Sequence, residues 1–545
     1  MAAEPPAAPP TGDAGGGSTS PPTGAAAGAV AAPPRPAGTA GPGSTPPPLP
    51  GPPRPPLPPG WLTRNWPALV GHAPRPAVFG VVVTALVAAV VLVLSRPGLG
   101  WLAVTLVLAG TALAIRRGSG RRPEPRARRA ERAGWAVAAV LLVAVGTFRD
   151  DGYLFLWCVL AALACGSVAL IGGRTSPALA VGALAMPLAV FRALPWWSRG
   201  ARRASRSGTG IRIGRTVAVS AVLVVVFGVL FITADPEFAR LLNNAAPTVD
   251  GGEVGRAVVA LILCGLLAIG GAYLAAGRPV LDDVPPVPGR AVRRAEWVAP
   301  LAVLNLLFLA FVLVQLETLF GGKALVLRTT GLTYARYARS GFWQLLIVAG
   351  LTLIVIAVAA RFAPRDTPTD RTLLRLLLGG LAGLTLVIVA SALQRIGAYS
   401  DAYGLTRERL VVWVAEAWLG LVFVMVVLAG IPLRAGWLPR AGAATAVLAL
   451  LATAAVGPDR FIAQQNVERY FRIGRIDVSY LSRLSADALP ELLKLPPGRR
   501  ECAVAAIERG LAYTDDDWRS WNLSRTLARS VSGNPYVDLS NCDIG

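Results

Sequence analysis

Apolar residues occur in long blocks along this chain, and short polar segments separate the blocks. Each block holds about 17 to 24 residues, which at a rise of about 1.5 Å per residue suffices to cross a hydrocarbon core of roughly 30 Å. Such blocks predict membrane-spanning helices. Twelve candidate spans result, at residues 77–95, 99–115, 134–148, 152–172, 177–194, 214–234, 256–276, 297–319, 341–361, 372–393, 410–430 and 441–456.

The composition agrees with a fold whose solvent is lipid. Hydrophobic residues make up 54% of the 545 positions and charged residues only 15%, with a mean hydropathy of +0.54. Soluble globular chains carry about 25% charged residues, so a water-soluble fold is excluded. We predict an all-α fold, a polytopic transmembrane helix bundle of 11–12 spans over residues 77–456, with a small C-terminal extramembrane helical domain.

Arginines between the blocks predict the orientation, because short basic loops remain on the cytoplasmic side. The loop after the second span and the loop before the sixth are both basic, yet three candidate spans separate them. Either one of the three does not cross or the rule is broken once, and we prefer the first. Residues 177–194, with Pro187, Arg192 and Pro195, are expected to be re-entrant or interfacial. Eleven spans then place the N-terminus in the cytoplasm and the C-terminus outside.

The two ends of the chain differ in composition. Residues 1–60 are rich in Pro, Gly and Ala and nearly lack large apolar side chains, which predicts a disordered tail. Residues 457–545 predict an extracytoplasmic helical domain, in which Pro458 opens a helix and Gly474 closes it. Two further helices are expected, one capped by Ser485 or Asp487 and one over residues 503–511. Both Cys502 and Cys542 would then lie in an oxidising compartment, where a disulfide between them can form.

The net charge of +22 comes from 53 Lys and Arg against 31 Asp and Glu. Because the arginines lie mainly between apolar blocks, we expect the partners to be the bilayer and anionic lipid headgroups, with no nucleic acid. The chain has one histidine and five scattered cysteines without a CxxC pair. We therefore expect no cofactor and no metal site.

Glu416 is the clearest ionisable residue inside a predicted span. Charged side chains are costly in the hydrocarbon region, so each one is a functional hypothesis. Arg409 precedes Glu416 by seven residues on the same helix face. The alternatives are a structural ion pair, a hydrogen bond to a neighbouring helix, or a role in binding a ligand or a proton.

Polar residues collect near the predicted outer leaflet and are candidates for a cavity beneath the C-terminal domain. The alternative is an ordinary interfacial belt of Tyr and Arg anchors. On the first interpretation, the protein is a cell-membrane protein that binds a ligand, lipid or partner, for envelope sensing or transport. The candidate residues are Gln315, Glu317, Tyr334, Tyr337, Arg339, Gln344, Arg395, Tyr399, Asp401, Tyr403, Arg409 and Glu416.

No catalytic motif is found, which leaves enzymatic activity open and a non-enzymatic protein the preferred interpretation. Asp150 and Asp151 follow the third candidate span on the predicted outer side. Paired carboxylates there would suit metal-assisted transfer from a lipid-phosphate donor. An envelope enzyme of the lipid-linked glycosyltransferase type is therefore the alternative function, and a plain loop end is the simpler interpretation of the pair.

Four runs in the second half carry a family resemblance: GLTYARYARSGFWQLL (331–346), ALQRIGAYSDAYGLTRERL (392–410), NVERYFRIGRIDVSYLSRLSADALPELL (466–493) and DDWRSWNLSR (516–525). They resemble the bacterial membrane family called domain of unknown function 4173, which is related to domain of unknown function 4153. The resemblance covers roughly residues 130–525. It implies a multispan inner-membrane protein without established activity or catalytic residues.

Overall fold

The computed structural model describes residues 66, 69, 71–119, 125–173, 175–204, 227, 231, 251–277, 293–320, 342–513 and 516–532. Every regular element in these ranges is helical, which confirms the all-α prediction. The helices are α1 Arg75–Val91, α2 Leu99–Gly118, α3 Arg126–Phe148, α4 Gly152–Ile171, α5 Ser176–Ala183, α6 Ala185–Ala204, α7 Gly251–Ala276, α8 Arg294–Phe320, α9 Phe342–Phe362, α10 Pro368–Tyr403, α11 Arg407–Gly430, α12 Leu438–Val456, α13 Pro458–Ile473, α14 Val478–Leu481, α15 Leu489–Leu492, α16 Arg499–Ala512 and α17 Leu523–Val531.

The described helices form a polytopic bundle. Nine of them are long and apolar enough to cross a membrane, namely α2, α3, α4 and α7 to α12. Helix α1 is apolar but has only 17 residues. These ten correspond to ten of the twelve predicted spans, and the predicted span 214–234 lies outside the described residues.

The predicted fifth segment is broken into two helices, α5 and α6, on either side of Leu184. Neither belongs to the membrane-spanning helices of the described ranges. Helix α6 buries Ala185, Ala189 and Ala193 on one face and exposes Phe191 on another. This amphipathic pattern agrees with the expectation that the segment does not cross the membrane as one apolar helix.

The bundle packs around two main groups of buried side chains. Helices α1, α6 and α7 meet through small residues such as Ala77, Ala189 and Ala272, none of which is exposed by more than 2%. Helices α8 to α11 share a second core around Leu381 and Phe423. Small side chains allow close approach of helices, and close packing drives helix association in lipid.

Helix α10 is longer than predicted. Its 36 residues span about 54 Å, well beyond a hydrocarbon core of roughly 30 Å. Thr367 caps its start and Gly404 ends it. Residues 394–403, which follow the predicted span 372–393, are therefore the last turns of this helix.

The C-terminal helices have an apolar core of their own, which includes Ile462, Leu489, Leu492 and Ile507. The predicted first helix is confirmed as α13, which ends at Gly474 in the left-handed conformation. The second is a short 3-10 turn followed by α15, and the third is α16. Helices α14 and α17 were not predicted. The division of the chain at residues 60 and 457 stays a prediction.

Candidate functional site

The C-terminal helices pack against one end of the bundle and complete the hydrogen bonding of its helices. Leu99 and Gly100 open α2, and their amide N–H groups donate to the carbonyl oxygens of Trp521 and Arg519 at 3.1 and 2.7 Å. The Asn522 amide donates to the carbonyls of Gly146 and Arg149 at the end of α3, each at 2.8 Å. Helix ends leave such groups without intrahelical partners. The C-terminal segment supplies these partners at the start of α2 and at the end of α3.

Arg525 lies at the centre of the contact, and its side chain is only 4% exposed. Its guanidinium pairs with the carboxylates of Asp150, in the α3–α4 loop, and Asp516, with an Nε–Oδ2 distance of 2.9 Å to the latter. It also donates to the Pro97 carbonyl oxygen at 3.0 Å. One side chain thus joins two loops of the bundle to the C-terminal helices.

Asp487 forms a second connection, with a side chain 4% exposed. It accepts hydrogen bonds from the Ser524 hydroxyl at 2.7 Å and from the Asp150 amide at 2.9 Å. Arg149 lies 3.4 Å from its carboxylate and also donates to the Ala454 carbonyl at the end of α12. The polar residues therefore tie α3 and α12 to the C-terminal helices.

Asp459 and Arg407 form the third connection. The fully buried Asp459 carboxylate accepts from Arg407 Nε at 2.8 Å and from the Ser485 amide at 2.7 Å. The Tyr480 hydroxyl accepts from the Arg407 amide at 2.7 Å, which fixes the first turn of α11. Burial raises the pKa of this Tyr480 hydroxyl.

The adjacent carboxylates in the α3–α4 loop have structural partners. Asp151 caps α4 by accepting from the amides of Tyr153 and Leu154 at 3.0 and 3.1 Å. Burial, and next to it the charge of Asp459, raises the pKa of Asp151 to about 6. Burial also raises the pKa of Asp150, against the opposing charge of Arg525. In the described residues, no group of three or more His, Cys, Asp or Glu is arranged to hold a metal ion.

Within the described ranges, the structure brings the candidate cavity residues together in small groups. Arg395 donates to Gln315 Oε1 at 2.6 Å, between α10 and α8. The rings of Tyr399 and Tyr403 lie 5.0 Å apart, and the Arg409 guanidinium lies 4.1 Å above the Tyr399 ring.

Among the remaining candidates that the structure describes, Asp401 and Gln344 do not extend these groups. Asp401 and Gln344 are exposed, and the backbone carbonyl of Asp401 accepts from Arg469 at 2.8 Å. The side chain of Glu317, with Tyr334, Tyr337 and Arg339, lies outside the described residues.

Glu416 is fully buried in α11, and neither of its carboxyl oxygens has a hydrogen-bond partner among the described residues. The ion pair with Arg409 is not formed, because the Arg409 guanidinium turns back to the Gly404 carbonyl and Tyr399. Seven residues along a helix place two side chains on one face, but they are about 10 Å apart along the axis.

A cavity of about 570 Å³ lies between α3, α12 and the C-terminal helices. Leu141 and Phe148 of α3, Leu451 of α12 and Leu527 of α17 line its apolar walls. Arg149, Arg460, Asp487 and Ser524 supply polar groups at its lining. None of the predicted site residues that the structure describes lines this cavity. Its residues come from segments hundreds of positions apart, and the only local signals were Asp150, Asp151 and the DDWRSWNLSR run beside it.

No curated protein and no solved structure matches the chain. A family model does match, over residues 136–495, and its description is "Domain of unknown function (DUF4153)". The matched range includes Asp150, Arg407 and Asp459 and ends before Arg525. The match does not show membership of domain of unknown function 4173. Because it covers about two thirds of the chain, this integral membrane protein belongs to the family of domain of unknown function 4153.

Proposed function

We propose that this protein binds an amphiphilic molecule at the outer end of its bundle, for envelope sensing or transport. The observation that carries the proposal is the cavity between α3, α12 and the C-terminal helices. Its volume of about 570 Å³ lies within the range of roughly 300–1,000 Å³ that is typical of small-molecule sites.

The lining of the cavity favours a ligand with an apolar part and an anionic group. Leu141, Phe148 and Leu451 offer an apolar surface at the ends of two spanning helices. The Arg460 side chain is 55% exposed and shares Glu491 with Lys494, so it is accessible to an anion. A molecule at the boundary between hydrocarbon and water would satisfy both parts of the lining.

We place this end outside the cytoplasm and the N-terminus inside. The C-terminal helices contact loops at residues 92–98, 149–151 and 404–406, each of which the arginine rule assigns to the outer side. The basic ends of α2 and α3 lie at the other end of the same helices. Cys502 is disulfide-bonded, which favours an oxidising compartment, and Cys542 lies outside the described residues.

Enzymatic activity of the glycosyltransferase type receives less support. Asp150 is paired with Arg525, and Asp151 is used as a helix cap and is 2% exposed. Catalytic carboxylates for metal-assisted transfer need accessible oxygens. These contacts favour binding over catalysis. The function that we propose is therefore that of a cell-membrane protein that binds lipids.

Cavity filling tests the binding site. Ala455 of α12 is exposed and lines the cavity, whereas Ala452, one turn earlier, is exposed and does not line it. We expect Ala455→Trp to abolish crosslinking of a diazirine-labelled phospholipid to α3 and α12 and to abolish complementation of a deletion strain. Ala452→Trp is the matched control and should behave as wild type. Normal crosslinking and complementation by a folded Ala455→Trp protein contradict the proposal.

Thiol labelling tests the orientation. In a variant whose free cysteines Cys158, Cys165 and Cys264 are replaced by serine, Cys502 is protected as a disulfide. An impermeant maleimide should label intact cells only after an impermeant reductant is added. Labelling that requires lysis would reverse the orientation and move the cavity to the cytoplasmic side.

A further inference from the structure

A second and larger cavity lies inside the first half of the bundle, away from the C-terminal helices. Its volume is about 790 Å³, and helices α2, α3, α4 and α7 contribute most of its walls. The walls are mainly aliphatic, with residues such as Leu108, Val140, Val159 and Leu267. Such a cavity accommodates an apolar chain rather than a polar solute.

One end of the cavity is basic. Arg116 and Arg117, from the last turn of α2, and Arg129 and Arg132, from the first two turns of α3, line it there. Arg132 is buried and donates to the Ala169 carbonyl at 2.7 Å, which fixes its guanidinium at the end of α4. Arg117 and Arg129 are exposed, and their guanidinium groups have no hydrogen-bond or ion-pair partner among the described residues.

The opposite end of the cavity is mainly apolar. Trp101 lines it, and its indole N–H donates to the Val93 and Arg96 carbonyls at 3.1 and 3.2 Å. Its ring packs edge-on against Phe155, with centroids 5.2 Å apart. From Trp101 to Arg116 the cavity follows α2 for about 22 Å, most of a hydrocarbon core of roughly 30 Å.

We infer that this cavity is a binding site for an anionic membrane lipid, with one acyl chain between α2, α3, α4 and α7 and the phosphate at Arg117 and Arg129. Charge complementarity argues for this occupant. The basic end, which is the mouth of the cavity, presents the Arg117 and Arg129 guanidinium groups without a partner among the described residues. Phosphate is a preferred bidentate partner of guanidinium. The dimensions argue for a chain that lies along the helices. The site is separate from the outer cavity and does not rest on the proposed function. It is also more specific than general attraction of basic loops to the membrane surface.

The chain offers a matched control for the charges. Arg126 and Arg128 lie in the same turn of α3 as Arg129, are also exposed and do not line the cavity. Arg117→Gln with Arg129→Gln therefore removes two charges from the mouth, and Arg126→Gln with Arg128→Gln removes two charges beside it. Ala109 and Ala136 line the cavity and are exposed, so Ala109→Phe with Ala136→Phe fills it while the arginines remain.

Native mass spectrometry of the full chain, titrated with phosphatidylglycerol and with phosphatidylcholine of the same acyl chains, measures the binding. We expect one saturable phosphatidylglycerol site. Arg117→Gln with Arg129→Gln should weaken its affinity about tenfold, which corresponds to about 1.4 kcal/mol. The control pair, Arg126→Gln with Arg128→Gln, should weaken it less than about twofold. The filled variant should lose the site. Ala136→Phe alone serves where the double variant fails to fold, as judged by circular dichroism.

Three results overturn the inference. Equal weakening by both arginine pairs means surface attraction only. Unchanged binding to a folded filled variant means that no chain enters the cavity. Equal affinity for phosphatidylcholine means that the arginines do not select an anionic lipid.

Discussion

The two ends of the helix bundle use arginine in opposite ways. At the end covered by the C-terminal helices, three arginines pair with buried aspartates, whose side chains are at most 4% exposed. The pairs are Arg149–Asp487, Arg407–Asp459 and Arg525–Asp516. At the other end, the described ion pairs Arg294–Asp370 and Arg440–Glu131 link neighbouring helices. Beyond these, several arginines there are exposed and without partners among the described residues, namely Arg117, Arg126, Arg128 and Arg129.

The arginines at the covered end therefore stabilise contacts within the chain, whereas those at the other end are available to bind lipid. A buried charge without a partner is strongly unfavourable, so the paired end depends on each member of its network. An exposed arginine is hydrated at little cost and remains available to phosphate. Substitutions should therefore change stability at the first end and lipid binding at the second.

Arg525→Gln should have the largest effect on stability. It leaves Asp516 and Asp150 without their central partner, and loss of one member of a buried pair costs about 3–5 kcal/mol. We expect a lower midpoint of thermal unfolding in detergent and faster proteolysis of the C-terminal helices. Lys494→Gln is the control, since Lys494 is 61% exposed and Glu491 keeps Arg460. A change of about 1 kcal/mol or less is expected there, and equal losses would mean that burial does not distinguish the two pairs.

Gly404→Ala should have the next largest effect. With φ +86° and ψ 158°, Gly404 lies in a region essentially restricted to glycine. An added Cβ would also lie 2.3 Å from Asn466 Oδ1. Asn466 cannot easily move away, because its amide donates to the Leu405 and Ile462 carbonyls, each at 2.8 Å. We expect a loss of about 3 kcal/mol in the free energy of unfolding, from backbone strain and displacement of this contact.

Gly474→Ala separates strain from contact. Gly474 has φ +72° in the left-handed region, and an added Cβ would meet nothing within 4 Å. The expected loss is only about 1–2 kcal/mol, the cost of the left-handed conformation. The same thermal unfolding assay compares the two variants. If Gly474→Ala lowers the free energy of unfolding as much as Gly404→Ala does, then backbone strain alone accounts for the loss at Gly404.

The spans could be predicted from sequence because hydropathy over about 20 residues is a local property. Pro458 and Gly474 marked the ends of α13 for the same reason, since each acts on its own backbone. The network around Arg525 could not be predicted, because Asp150 is 375 positions away and nothing in either segment encodes the pairing. Helical spacing placed Arg409 and Glu416 on one face, but the two side chains have different surroundings, because tertiary contacts decide where each one points.

The pH dependence of the covered end should depend on Asp151. Its pKa of about 6 in the folded protein lies above the usual 3.8, so folding disfavours its charged form. Stability should therefore rise as pH falls through about 6 and stop rising near 4. The pKa values of Glu491 and Asp517 are lowered, so their contributions are lost only at more acidic pH.

Asp151→Asn isolates this contribution. Asparagine keeps the cap at the start of α4, because its side-chain oxygen also accepts from backbone amides. The variant should be more stable than wild type above pH 6 and show a flatter profile between about pH 4 and 6, the interval in which the wild-type contribution changes. Thermal unfolding midpoints across this range measure the slope. An unchanged slope in Asp151→Asn would transfer the dependence to Asp150, whose pKa burial also raises.

Glu416→Gln should have the smallest effect on stability. It compares a buried acid without a partner, inside a membrane-spanning helix, with the paired aspartates of the covered end. Glu416 is as buried as the paired aspartates, yet its carboxyl oxygens have no hydrogen-bond partner among the described residues. Removing an acid that has no partner loses no interaction, so we expect a change within about 0.5 kcal/mol in the thermal unfolding assay, and a small gain for Glu416→Met. A large loss in both variants would mean that the carboxyl group is bound by residues outside the described ranges. Normal stability with failed complementation by Glu416→Gln, and rescue by Glu416→Asp, would assign the carboxyl to function rather than to the fold.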